Sequence, residues 1–325
     1  MIDFRLCLVL LLKSTYDRVL VTGGAGFIGS HIIDALLNEG ASVWALDDLS
    51  TGSLHNLRPW KGSRRLHFRR GSTLQARVVD ALTRRVDAVI HLAAVVSPYV
   101  SLKKPTVVKS VNVRGTMNVL DAALKAKSKR VVFASSSSVY GNQTALPIAE
   151  DNPLRPITPY GASKLEGEKR CEVYFRTYGL STVALRYFNV YGPRQRANPY
   201  SGVIAIFSQQ LRKGRRPTIY GDGGQTRDFI HVSDVVTANM QALQTRKRIE
   251  GTFNVGTGHP TTINQLASLI ATLVGRPDIP PTHSQARTGD IRDSYASVIK
   301  AKELLGFEAE VELKSGLNSL LESIS

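Results

Sequence analysis

Short apolar runs alternate with amphipathic stretches along the first half of the chain, the arrangement that βαβ units and a parallel sheet produce. Arg18–Thr22 reads as a first strand, Ile28–Asn38 as a helix and Ser42–Asp47 as a second strand. Asp87–Ala93 and Arg130–Ser135 are short apolar runs after polar stretches and read as later strands, with a helix over Val108–Ala126 between them. Beyond Tyr160 the pattern loses its regularity. A helix is expected over about Ser163–Tyr178 and a strand over Thr182–Tyr187, followed by loops rich in Gly, Pro and Arg. Val232–Ala242 and Phe253–Val255 then look like segments that rejoin the sheet.

At 325 residues and 42% hydrophobic, the chain can bury a full core, and it shows neither a low-complexity tract nor a repeat of fixed period. The only cysteines, Cys7 and Cys171, are far apart and belong to no Cys/His cluster, so neither a disulfide framework nor a metal site is expected and a reducing, cytoplasmic setting is the default. The apolar run Leu6–Leu12 is too short to span a bilayer, and residues 1–17 read as an N-terminal extension; no membrane association is expected. The net charge of +16 would attract anions, with basic clusters at Arg58–Arg70, Lys125–Arg130 and Arg212–Arg216. These clusters lack interleaved aromatics and a nucleic-acid module, so they read as solvated faces and no nucleic-acid partner is expected.

The first strand runs directly into Thr22-Gly23-Gly24-Ala25-Gly26-Phe27-Ile28-Gly29 and then a helix. Glycines at this spacing permit a tight turn, close approach of a pyrophosphate to the backbone and close packing of helix on strand, while the helix N-terminus supplies N–H donors. Asp47 ends the second strand about twenty residues after the turn, where a carboxylate accepts the adenosine ribose hydroxyls and repels a 2′-phosphate, so NAD is expected over NADP. Asp48 beside it either joins in that contact or caps the following turn.

Tyr160 and Lys164 lie four residues apart at the start of a predicted helix, so both can point to one side. A nearby ammonium favours the phenolate and lets a tyrosine act as a base near neutral pH. Upstream, Val131–Ala134 leads into Ser135-Ser136-Ser137-Ser138-Val139-Tyr140-Gly141, which places hydroxyls at the carboxyl end of a parallel strand, where open α/β sheets bind ligands.

With VTGGAGFIGSH, ALDDLSTG, HLAA, FASSSSVYG, PYGASK, LRYFNVYGPRQ, IYGDGGQTRDFIHVSD and RTGDIRDS in that order, about residues 18–310 resemble the NAD-dependent epimerase/dehydratase branch of the extended short-chain dehydrogenases, and most closely its UDP-glucose 4-epimerase-like members. The resemblance implies a Rossmann-type α/β fold: a doubly wound NAD-binding domain over 18–180 and a smaller, mainly nucleotide-sugar-binding lobe over 181–325, with segments near 182–190 and 228–256 rejoining the first domain. It implies Ser136, Tyr160 and Lys164 as the catalytic residues, and a homodimer packed through the helices near Val108–Ala126 and Ser163–Tyr178. The cofactor contacts implied are Gly23, Gly26, Phe27, Ile28, Gly29, Asp47, Asp48, Leu92, Ala93, Ala94, Val96, Asn112, Tyr160, Lys164 and Phe188. For a UDP-sugar they are Ser101, Ser136, Ser137, Tyr160, Asn189, Tyr220, Arg227, Arg287 and Asp290. Arg227 could instead pair with Asp228 or Asp234, and Asp290 could instead belong to a turn after Gly289.

The implied reaction is 4-epimerisation of a UDP-hexose, of the glucose or the N-acetylglucosamine type, through a 4-keto sugar. The related 4,6-dehydratases carry an Asp-Glu pair where this chain has Ser137 and Ser138, and the related decarboxylases carry Glu at the place of Ser138, which favours plain epimerisation. Tyr99 replaces the arginine expected of a UDP-glucuronate epimerase, and Ser294 replaces a bulky tyrosine that narrows the sugar pocket in some glucose-type enzymes. Ser72 replaces an aspartate that meets the adenine amino group. A rival of another class is a non-catalytic NAD- or RNA-binding protein, which has no need of serine, tyrosine and lysine at this spacing.

Overall fold

The computed structural model describes residues 16–195, 202–245, 249–286 and 291–323. The strands β1 (Arg18–Thr22), β2 (Ser42–Asp47), β3 (Leu66–Arg70), β4 (Ala88–His91), β5 (Arg130–Ser136) and β6 (Thr182–Tyr187) are all parallel. After β6, strands β7 (Asn189–Tyr191), β8 (Thr218–Tyr220) and β9 (Thr226–His231) leave this sheet, and β10 (Gly251–Val255) returns to it. The seven-stranded order is β10-β6-β5-β4-β1-β2-β3, so the direction of winding reverses between β1 and β4, where such sheets open a crevice for a ligand.

Helices cover both faces. Helix α1 (Phe27–Asn38) follows β1; α2 (Ala76–Thr83), α3 (Pro98–Lys103), α4 (Pro105–Val108), α5 (Gly115–Lys125) and α6 (Pro159–Tyr178) come later in the first half. A single π-helical turn, Lys109–Arg114, joins α4 to α5. On one face Ile32, Ile33 and Leu36 of α1 pack with Val132, Leu185 and Phe253 of the sheet. On the other, Val79, Val119, Leu120 and Cys171 from α2, α5 and α6 pack on Leu20, Val89 and Phe133. Central strands buried on both faces explain why β5 and β6 read as continuous apolar runs rather than alternating ones.

Two segments differ from the sequence reading. Val232–Ala242 lies in helix α8 (Val232–Gln244), following α7 (Val203–Arg212), and it packs on α1 and the sheet instead of adding a strand. The basic run Arg58–Arg70 spans the end of a 3-10 helix (Leu54–Trp60) and all of β3. As the edge strand, β3 keeps His67, Arg69 and Arg70 exposed while Leu66 and Phe68 turn inward, so its charges hide the alternation.

A smaller sheet forms where β9 pairs antiparallel with β11 (Pro260–Thr262) and parallel with β7 and β13 (Asp293–Ser294); β8 pairs with β12 (Thr282–Ser284). Asp228 of β9, fully buried, joins this part to the larger sheet. Its carboxylate accepts from Thr257 N and Oγ1 at 2.8 and 2.7 Å, Gly258 N at 2.9 Å and Ala296 N at 3.1 Å. Among the described residues no helix is long and apolar enough to cross a membrane.

The placement of α6 depends on Gly167. A Cβ there would lie 2.4 Å from Phe133 Cζ on β5, so helix and strand touch where only hydrogen fits. Gly167→Ala is expected to destabilise the fold by about 1–3 kcal/mol, the usual cost of overpacking, read as a lower urea midpoint at unchanged slope.

Candidate active site

The glycine turn forms by close approach. Gly23 adopts φ +71°, and a Cβ on it would meet Ala93 N at 2.9 Å; a Cβ on Gly29 would meet Gly23 O at 2.2 Å. Gly26 is the N-cap of α1 with no side chain over the helix end, leaving the N–H groups that open with Phe27 and Ile28 without a side-chain cap. Such a cradle, small at every contact and uncapped at a helix N-terminus, fits the pyrophosphate of NAD. Asp47 is buried, and burial raises its carboxyl above the usual range against hydrogen bonds from Leu49 N at 2.8 Å and Ala25 N at 3.0 Å. It therefore fastens the turn itself, while a carboxylate keeps lone pairs enough for ribose hydroxyls as well. Asp48 is exposed and accepts from Ser50 N at 2.9 Å, as a turn cap does.

Leu92, Ala93 and Ala94 follow β4 and face this turn; Ala93 N donates to Thr22 Oγ1 at 3.3 Å. Behind them lies His91, which sequence reasoning passed over because it reads as one more residue of an apolar strand. It is buried between Thr22 Oγ1 at 2.7 Å from Nδ1 and Thr116 Oγ1 at 2.9 Å from Nε2. Thr116 already donates its proton to Asn112 O at 2.6 Å, so Nε2 must donate and Nδ1 must accept from Thr22. Burial, aided by the Lys164 charge, pushes the imidazole down to about 3, so it is neutral near pH 7. Asn112 continues the network with its side-chain amide. Oδ1 accepts from Val95 N at 2.8 Å, and Nδ2 donates to Val95 O at 3.1 Å and Ser163 Oγ at 2.9 Å. Strand β1, the loop after β4, the π turn and helix α6 thus share one hydrogen-bonded chain.

Helix α6 begins at Pro159, earlier than the periodicity suggests, because Thr158 caps it through Gly161 N at 3.1 Å and proline suits the first position. Tyr160 and Lys164 consequently occupy its first turns, both buried. A Cβ on Gly161 would lie 2.4 Å from Ser138 O, which brings the helix start against the end of β5. The Ser136 hydroxyl is close enough to the Tyr160 phenol to lower it, and its Oγ also lies 3.1 Å from Ser138 Oγ and accepts from Ser138 N at 3.2 Å. Burial raises the Tyr160 phenol and the Ser136 hydroxyl opposes it. Lys164 Nζ donates to Ala134 O at 2.7 Å and lies 6.0 Å from the Tyr160 ring centre; burial brings the amine down to about 8, against the charge of Glu168. The influence that lowers the phenol is the Ser136 hydroxyl, where the sequence pointed to the Lys164 ammonium.

Other expected positions scatter around this centre. Phe188 is buried with Val139, Tyr140 and Ala296 just after β6. Ser101 is fully buried and donates to Pro98 O at 2.5 Å, which commits its proton to its own helix. Ser137 is half-buried at the start of a 3-10 turn, and Val96 is 60% exposed on the loop after β4. A cavity of about 430 Å³ lies in the second lobe, where Asn189, Tyr220 and Arg227 share a lining with Tyr191, Phe207 and Gln195. Arg227 Nη1 donates to Thr226 O at 2.8 Å, whereas Asp228 holds the backbone donors described above and Asp234 accepts from Glu310 N and Val311 N. Arg287 and Asp290 lie outside the described residues. Tyr187 of β6 is in register with Ser136 and is followed two residues later by Asn189, which lines the cavity.

One further contact couples the two ligand regions. Gln195, on the cavity wall, follows Arg194, which adopts φ +66° and pairs with Asp34 of α1 at 2.7 Å; His31 of α1 contacts Pro193 O at 3.0 Å. Asp34 also accepts from Trp60 Nε1 at 2.8 Å.

A parallel sheet with this turn and a buried Ser-Tyr-Lys group at the end of β5 defines a short-chain dehydrogenase/reductase. The family model "NAD dependent epimerase/dehydratase family" matches residues 19–256, and the chain belongs to that family. It is 40% identical over 307 residues to the UDP-glucose 4-epimerase of Mycolicibacterium smegmatis, covering 94% of this chain and 97% of the relative. A solved UDP-glucose 4-epimerase from Thermotoga maritima, with UDP-glucose, superposes with a TM-score of 0.89 at 38% identity over 94% of this chain and 98% of that one. A UDP-N-acetylglucosamine 4-epimerase from Methanobrevibacter ruminantium, in complex with UDP-N-acetylmuramic acid, superposes with a TM-score of 0.90 at 34% identity, covering 95% and 98%.

The His91 network has a pH consequence. A histidine held neutral in the fold at about 3, against an ordinary 6.5, contributes stability that is full above 6.5 and is lost as pH falls toward 3. Wild type is therefore expected to lose more of its urea midpoint than His91→Gln between pH 7.5 and pH 4.5, and equal losses would show that His91 is not held neutral.

Proposed function

We propose that the chain is a UDP-hexose 4-epimerase that oxidises and re-reduces the sugar C4. The observation that carries this reading is the buried Tyr160 and Ser136 at the end of β5, with Ser136 Oγ 3.1 Å from Ser138 Oγ and with hydroxyls and no carboxylate at positions 137 and 138. Dehydration or decarboxylation after oxidation calls for an added acid or base there, whereas epimerisation needs only the tyrosine to take and return one proton.

NAD, when bound in the turn beside Ala93, supplies the hydride acceptor. Tyr160 removes the 4-hydroxyl proton, and Ser136 steadies both the phenolate and the sugar oxygen. Lys164 lies within the same buried group and, with its amine near 8, holds a proton readily at neutral pH. The 4-keto sugar turns over about its bonds to the diphosphate before hydride returns to the opposite face. Such turnover requires a firmly held nucleotide and a loosely held hexose. Asn189, Tyr220 and Arg227 in the second lobe suit the first role, with Arg287 and Asp290 proposed beside them.

Ser294 bears on the choice of hexose. It is buried on β13 in register with Arg227, so its side chain belongs beside the diphosphate-binding strand. A small residue there leaves room for a 2-acetamido group, and we propose both glucose-type and N-acetylglucosamine-type substrates. Tyr99 stands where a glucuronate epimerase is expected to carry an arginine, which disfavours the acid sugar. Exposed Val173 and Tyr178 on α6 suit the proposed homodimer, and the buried free thiol of Cys171 suits the cytoplasm.

Proton NMR of the purified protein with UDP-glucose, UDP-N-acetylglucosamine and UDP-glucuronate is expected to show the 4-epimer of the first two at constant mass. Loss of water or carbon dioxide from any of them would move the chain to another branch. Tyr160→Phe is expected to retain bound NAD and its melting temperature while kcat falls by about 10²–10⁴-fold, the usual worth of a general base. Ser294→Tyr is expected to abolish turnover of the acetamido sugar and spare the glucose pair; equal loss on both would remove Ser294 from substrate selection.

A further inference from the structure

The run Arg58–Arg70 contains Arg58, Lys61, Arg64, Arg65, Arg69 and Arg70 and no Asp or Glu. All six basic residues are exposed. Exposed arginines on the helices find an acid one turn away, Arg84 with Asp80 at 2.9 Å and Arg176 with Glu172 at 2.8 Å. Among the described residues no acid pairs with any of the six. Arg64 and Arg65 directly precede β3, and Arg69 and Arg70 end it, so the unpaired charge lies along the edge strand of the seven-stranded sheet.

The inner side of β3 is spent on β2. Val43 N donates to Arg65 O at 2.7 Å and Gly71 N donates to Asp47 O at 3.0 Å, and these two bonds bracket the ladder. Successive residues of a strand turn their backbone groups to opposite sides, so Arg65, His67, Arg69 and Gly71 face β2 while Leu66, Phe68 and Arg70 face outward. Leu66 N makes a turn bond to Ser63 O at 3.4 Å. The C=O groups of all three outward residues, and the N–H groups of Phe68 and Arg70, have no partner among the described residues. His67 stacks on Trp44 of β2 with ring centres 4.5 Å apart, so it leans inward and leaves the edge uncovered.

We propose that this edge takes up an extended acidic segment of a partner protein as an eighth strand. In such additions the backbone ladder supplies affinity and side chains at alternate positions supply choice. Arg69 and the Arg64-Arg65 pair suit carboxylates on the incoming strand, and the half-buried Leu66 and Phe68 offer it apolar neighbours. The same row of charge keeps two copies of this edge apart, because arginine would face arginine. A nucleic acid would satisfy the guanidinium groups, but its phosphates only accept hydrogen bonds and leave the outward C=O groups unpaired. The proposal does not depend on which sugar the enzyme converts.

Fluorescence anisotropy of a labelled peptide, Val-Glu-Val-Glu-Val-Glu, with the full chain is expected to show saturable binding that weakens as the Debye length shrinks from about 30 Å at 0.01 M salt to about 3 Å at 1 M. Methylating every peptide nitrogen keeps each charge and removes the backbone donors, and should weaken binding by at least about tenfold. Arg64→Gln, Arg65→Gln and Arg69→Gln combined should weaken it by about tenfold as well, at unchanged melting temperature and NAD content. Hydrogen exchange at the Phe68 and Arg70 amides should slow in the complex. No binding at low salt, equal binding of the methylated peptide, unchanged exchange at both amides, or full binding by the triple variant would overturn the proposal. So would retention of duplex RNA by a chain that ignores the peptide, which would reassign the charges to nucleic acid.

Discussion

Glu168 and Arg186 form an ion pair at 2.7 Å with their side chains only 5% and 3% exposed, and the catalytic geometry rests on it. Two charges so far from water are tolerable only when each has its partner and its remaining hydrogen bonds, so neither can shift alone. Ser135 hydrogen-bonds Glu168 from β5, while Arg186 donates to Tyr140 Oη at 2.8 Å and to Glu150 O at 3.0 Å. Tyr140 passes its own proton to Asn254 Oδ1 at 2.6 Å on β10. Glu168 comes one helical turn after Lys164, and Ser135 immediately precedes Ser136. Fixing the pair therefore fixes the distance between the helix that carries the phenol and the strand that carries the serine. The same carboxylate supports the charge of Lys164 against the penalty of burial.

Where local chemistry and position coincide, the sequence was an adequate guide. The glycine turn announces itself because only residues without a Cβ fit between Gly23, Gly29 and Ala93, and Tyr160 with Lys164 announces itself through helical spacing. The buried polar groups were less legible. Glu168, Arg186 and Asp228 look like surface residues in a hydropathy pattern, since nothing local reveals that their partners arrive from strands distant in sequence. His91 is hidden for the opposite reason, as part of an apolar strand. Asn112 was expected to support the cofactor side, and its amide proves to be occupied with Val95 and Ser163. Strand β3 was obscured by arginines that belong to an exposed edge, and Val232–Ala242 was legible only as an element that rejoins the sheet, because a buried helix and a buried strand are alike in apolar content.

The second lobe is organised around Asp228 much as the first is around Glu168. One carboxylate takes four donors from the loop after β10 and from Ala296, so the strand that carries Arg227 is held in place by the sheet that carries Ser136. The proposed nucleotide anchor and the strand of Ser136 are thus tied together, although they come from segments interleaved along the chain.

Arg194 holds a left-handed backbone that arginine rarely adopts, and its ion pair with Asp34 together with the His31 contact to Pro193 keeps it there. Asp34 and His31 lie on the helix that follows the glycine turn, and Gln195 lies on the wall of the second-lobe cavity. That helix and the cavity wall are therefore joined through two residues of backbone. Linkage makes any effect passed between them mutual: to whatever degree the resident dinucleotide tightens the grip on a sugar nucleotide, the sugar nucleotide retards escape of the dinucleotide. Under the proposed function, that strained arginine is the point at which the hold on the dinucleotide and the hold on the sugar nucleotide meet.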